Sequence, residues 1–133
     1  MRTFIPLTFG AALATLTLAR AAGLSDDPSG LWKPLRDASY KFHSGVVADG
    51  APPMASDSRL TFLVEGKTAK ELYDSIGPDH PDVCGDEKRD RERRKKGIAC
   101  FYAAQDEKEK DGPYRCWIGL DLRTGNTINT ITC

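Results

Sequence analysis

Histidine is the side chain best suited to moving protons near neutral pH, and this 133-residue chain has only two, His43 and His80. His80 sits in Gly77-Pro78-Asp79-His80-Pro81-Asp82. An Asp and a His there could ligate a metal, but the composition is that of a surface turn. The serines have no recognisable base partner. There is no glycine-rich phosphate loop and no paired carboxylates in an apolar setting. No catalytic residue, cofactor or metal is therefore assigned, and the chain reads as a non-enzyme. A small secreted hydrolase working through a histidine is the enzymatic alternative.

Sulfur chemistry is more informative. The four cysteines, Cys84, Cys100, Cys116 and Cys133, lie in the last fifty residues at near-even spacing. Zinc sites need close Cys-x-x-Cys knuckles, which are absent. An even count in a small exported chain reads as two disulfides, with three pairings open.

The third group that could do chemistry is the stretch from Asp86 to Lys96. It holds Lys88, Arg89, Arg91, Arg93, Arg94, Lys95 and Lys96 among four acidic residues. It reads either as a solvated surface loop with weak internal ion pairs or as a loop that recognises anions or steers a partner. The interleaved acids argue against indiscriminate polyanion binding. Phe101 and Trp117, on the outer sheet face, read first as covered by an N-terminal segment such as Leu31-Trp32. Otherwise, with Arg115, they complete the candidate binding residues, since exposed aromatics with arginine anchor interfaces.

Export sets the context for the sulfur. Arg2 is followed by an uncharged run from Phe4 to Ala19, and small residues form an A-x-A site at Ala19-Arg20-Ala21. These are the parts of a signal peptide over residues 1–21. The run is too short, and too interrupted by Pro6 and Gly10, to span a bilayer comfortably. Residues 22–133 then carry 17 basic against 19 acidic side chains. A near-neutral chain of that length is one domain and not a general nucleic-acid binder. The expected location is periplasmic or secreted.

The elements that must position these residues follow from periodicity. Residues 22–58 are dense in Gly, Pro, Ser and Asp and read as a loosely ordered segment, with Tyr40-Lys41-Phe42 a short strand or turn. Residues 59–64 alternate as a strand with Leu60, Phe62 and Val64 on one face. Ala69, Leu72, Tyr73 and Ile76 form one helical stripe, stopped by Gly77-Pro78. A long loop over residues 78–96 leads to a hairpin of residues 97–104 and 113–122. A last strand is expected over residues 127–133.

Placing Cys100 opposite Cys116 also sets Ile98 against Ile118, Tyr102 against Tyr114 and Arg115 against Phe101, the last pair a candidate cation–π contact. A slip of one residue breaks that apolar face. The favoured bridges are therefore Cys100–Cys116 and Cys84–Cys133, with the sequential pairing as runner-up. On the loop-entropy model they contribute roughly 3 and 4 kcal/mol. The fold class is α+β: a small antiparallel sheet carrying one amphipathic helix, stapled by disulfides, over residues 59–133.

Gly66-Lys67-Thr68-Ala69-Lys70-Glu71-Leu72-Tyr73, Gly97-Ile98-Ala99-Cys100 and Tyr114-Arg115-Cys116 together resemble a loose group of small exported bacterial proteins. The resemblance covers roughly residues 59–122, and its motifs are structural. It implies the Cys100–Cys116 pairing and no activity, so no functional residue is carried over. The expected function is an inhibitor- or immunity-like module that recognises a protein partner. A binder of anionic envelope glycan or lipid through residues 86–96 is the alternative. Sequence leaves the oligomeric state open.

Overall fold

The computed structural model of the chain describes residues 32–48 and 50–130. The expected signal peptide and the Cys84–Cys133 bridge, which needs Cys133, lie outside the described residues. Contacts divide the chain between Trp32 and Lys33, and the second unit holds every element below.

Alternation of apolar residues makes β2 (Arg59–Glu65), which runs directly into α1 (Gly66–Ile76). Gly66 is the hinge, with φ +62°, a left-handed conformation that glycine adopts without steric cost. The other strands are β1 (Ala38–His43), β3 (Arg91–Lys95), β4 (Ile98–Tyr102) and β5 (Tyr114–Asp121), with a 3-10 turn at Ala104–Asp106. They form one antiparallel sheet in the order β1-β2-β5-β4-β3. The protein is thus α+β, as its periodicity predicts.

The hairpin has the expected register: Cys100 faces Cys116, Ile98 faces Ile118 and Tyr102 faces Tyr114. A disulfide joins Cys100 to Cys116, which excludes the sequential pairing. Both cysteines are fully buried with Val64, Ala69 and Tyr73, and Leu72, Ile76, Ile98 and Ile118 pack around them. The helical stripe therefore closes over the disulfide.

Three expectations are corrected. The sheet does not begin at residue 59: β1, inside the segment read as loosely ordered, pairs along its whole length with β2. Tyr40 and Phe42 have strand propensity enough once β2 offers a partner. Residues 78–96 are not all loop, because Arg91–Lys95 pairs with β4 across a two-residue turn, Lys96-Gly97. Gly97 has φ +80°, as the third position of a type II turn requires. Edge position lets so charged a segment be a strand. Finally, no strand runs over the described part of residues 127–133. Thr127 makes one bridge to Leu120, and Ile128 N–H donates to Gly119 O at 3.1 Å.

Candidate functional site

Strand alternation scatters the basic segment instead of gathering it. Arg91, Arg93 and Lys95 point to the helix side, in register with Tyr102, Cys100 and Ile98, while Glu92 and Arg94 point to the opposite side. The guanidinium of Arg93 lies 4.2 Å from the centroid of the Tyr73 ring. It donates to Asp79 Oδ1 at 2.6 Å and to Tyr73 O at 2.9 Å. Arg91 stacks over Tyr102 at 4.7 Å. Arg89 pairs with Glu107 at 2.9 Å. Arg94 pairs with Glu92, which is completely buried and also accepts from Cys84 N–H at 3.2 Å. These arginines fasten β3 to its surroundings; Lys88, Lys95 and Lys96 are exposed.

The same contacts account for the Asp79-His80 turn. Asp79 accepts from Tyr73 Oη at 3.0 Å as well as from Arg93, and the arginine holds its carboxyl below the usual range. Burial, then the Asp79 hydrogen bond, pushes the Tyr73 hydroxyl up to about 12. His80 Nδ1 lies 2.8 Å from Asp82 O and 3.2 Å from Asp82 N, so its ring is held within its own turn. His43 is buried, its Nε2 2.9 Å from Thr61 Oγ1. Among the described residues, no three His, Cys, Asp or Glu side chains converge as a metal cluster.

Phe101 and Trp117 do come together. Both lie on the sheet face away from α1 and line a groove of about 600 Å³. Its floor is β1, β2, β4 and β5, and its walls are Val46–Ala48 on one side and Asn129–Thr130 on the other. The C-terminal wall can lie flat because Gly97 and Gly119 have no side chains. A Cβ on Gly97 would sit 2.3 Å from Thr127 Cβ, and one on Gly119 would sit 2.5 Å from Thr130 Cγ2. Arg115 stands opposite Phe101 as expected. Instead of stacking on that ring it pairs with Glu65 at 3.2 Å and with Asp106. Two carboxylates outbid a ring face for a guanidinium.

The helix side carries a second surface that periodicity alone did not reveal. The α1 helix packs on β2, β3, β4 and β5 but not on β1. Tyr40 and Phe42, on β1, are left 66% and 51% exposed. Their rings meet edge-on at 5.7 Å, and Tyr40 lies 6.3 Å from Phe62. The signal was available in the aromatic alternation of Tyr40 and Phe42, but their exposure depends on where a short helix lands.

No protein-family model matches this chain, and no curated protein or solved structure does either.

Proposed function

We propose that this chain is a non-enzymatic binding protein of an oxidising compartment that docks a protein partner along β1. The observation that carries the reading is the exposure of Tyr40 and Phe42 on an edge strand. The two edges of the sheet differ. β3 reads Arg-Glu-Arg-Arg-Lys, the kind of charged edge that blocks strand addition. β1 has one strand neighbour among the described residues and presents aromatics in place of that charge. An extended segment of a partner can pair with this edge through its backbone and lay apolar side chains on the two rings. Aromatic anchors of this kind dominate interface energetics. The Cys100–Cys116 bridge supports a location outside the reducing cytoplasm. No described helix is long and apolar enough to cross a membrane.

The test is affinity capture from envelope and secreted fractions with the wild-type chain beside a Tyr40→Ser/Phe42→Ser variant of equal melting temperature. A stoichiometric protein retained by the wild type and lost by the variant is the expected result. Equal retention by both chains defeats the assignment to β1. Capture of glycan or lipid alone, released by salt and by Lys95→Ser/Lys96→Ser, transfers the function to the exposed lysines of the basic segment.

A further inference from the structure

The groove on the other face of the sheet points to a second kind of ligand, distinct from the partner proposed for β1 although Tyr40 borders both surfaces. We propose that it binds amphipathic monocarboxylates: small molecules with an apolar body, alkyl or aryl, and one carboxylate head.

The strand register divides the groove floor into an apolar and a polar row. Leu63, Trp117 and Ala99 face one another across β2, β5 and β4, with Ser39 at the β1 end of that row, and Phe101 extends the apolar surface along β4. The neighbouring row is Lys41, Thr61 and Gly119 across β1, β2 and β5. Thr130 packs over Gly119 and continues that polar row. Strands are spaced by about 4.8 Å, so Lys41 and the site of Thr130 lie about 10 Å apart along it. A body laid on Trp117, Phe101 and Leu63 therefore has the Lys41–Thr61 row on one flank, and on the other Arg115, whose charge Glu65 and Asp106 take up. A volume of about 600 Å³ suits a small organic molecule.

Two polar groups in this row are incompletely used. Thr130 is 7% exposed, and its Oγ1 has no hydrogen-bond partner among the described residues. Buried hydroxyls are nearly always paired, so a ligand polar atom here removes a standing cost. Among the described residues, Lys41 is the only charged one lining the groove. Its ammonium donates to the Val47 carbonyl and pairs with no carboxylate among the described residues. A lone ammonium is a point charge matched by one carboxylate. The forked donors of arginine match a phosphate dianion better than one ammonium does, and on this face Arg115 already has its two carboxylates.

The experiment uses the full chain carrying Trp32→Phe, a change at a fully exposed position, so that emission reports Trp117 alone. Decanoate and naphthoate are titrated as probes, with decanol and decyltrimethylammonium as controls. A saturable shift of Trp117 emission is expected with decanoate, naphthoate or both, at least tenfold tighter than with either control. A response to decanoate alone identifies an acyl chain as the natural body, and one to naphthoate alone an aryl ring. Lys41→Met is expected to reduce the affinity for the acid to that for decanol. Thr130→Val is expected to weaken the acid at least fivefold with the melting temperature unchanged. No saturable response to either acid, equal affinity for decanol, or an unchanged affinity in either variant overturns the proposal.

Discussion

At the residue scale, Tyr73, Asp79 and Arg93 form the most consequential group, because the tyrosine is both core and ligand to a surface ion pair. Tyr73 is buried under α1, yet its hydroxyl reaches Asp79, and Arg93 covers its ring. Two pH limbs follow. Tyr73 titrates at about 12 in the folded chain against an ordinary 10.0. Its contribution is fully present below pH 10, then falls as the unfolded chain ionises first, up to about pH 12. Asp79 is shifted down, so its contribution is present above its ordinary 3.8 and disappears as pH falls through the lower folded value. Tyr73→Phe should flatten the alkaline limb and cost about 1 kcal/mol at neutral pH. Asp79→Asn should flatten the acid limb. Melting temperatures measured from pH 2 to pH 12 on the three chains check both. Glu92 is a separate case. It is fully buried and joined to Arg94 and Cys84 N–H. Glu92→Ala should cost about 2 kcal/mol in urea unfolding, because it takes away the carboxylate that the Cys84 N–H and the partly exposed Arg94 guanidinium donate to.

At the element scale, the hairpin of β4 and β5 was legible from sequence because a two-residue side-chain period leaves one register that keeps Ile98, Cys100 and Tyr102 on a common face with Ile118, Cys116 and Tyr114. The helix was legible for the same reason at period 3.6. The β3 strand was not, because Arg91–Lys95 has no apolar alternation. What makes it a strand is a tertiary partner, β4, and a turn that depends on Gly97. The groove was half legible. Phe101 and Trp117 could be placed on the face away from the core, but its walls come from Val46–Ala48 and Asn129–Thr130, segments with no periodic signal. Gly97 joins these features. Gly97→Ala would strain a φ of +80° and drive a methyl into Thr127. A loss of about 2 kcal/mol is expected, part of it recovered in Gly97→Ala/Thr127→Gly, which removes the Thr127 Cβ, if the collision contributes. Removing the bridge with Cys100→Ala/Cys116→Ala should cost about 3 kcal/mol for a loop of this length.

For the whole molecule, what decides the exposed surface is that α1 covers four of the five strands and leaves β1 uncovered. Eleven residues of helix span about 16 Å, whereas five strands span about 19 Å from first to last. The helix settles over the disulfide end, on Val64, Cys100 and Cys116, and β1 lies beyond its reach. The aromatic strip is thus a consequence of where the buried cysteines anchor the core. If the strip serves recognition and not folding, stability and exposure should separate cleanly across the sheet. Phe42→Ser, at a side chain half exposed, should change unfolding free energy by no more than about 0.5 kcal/mol. Val64→Ala, under the helix, should cost about 2 kcal/mol. Urea denaturation of both variants decides the point. A Phe42→Ser loss as large as that of Val64→Ala would make the strip part of the folding core and remove the stability argument for β1 as a docking edge. A neutral Phe42→Ser means that this ring is held on a strand with one neighbour among the described residues without being needed to keep the chain folded, which is the arrangement a binding surface requires.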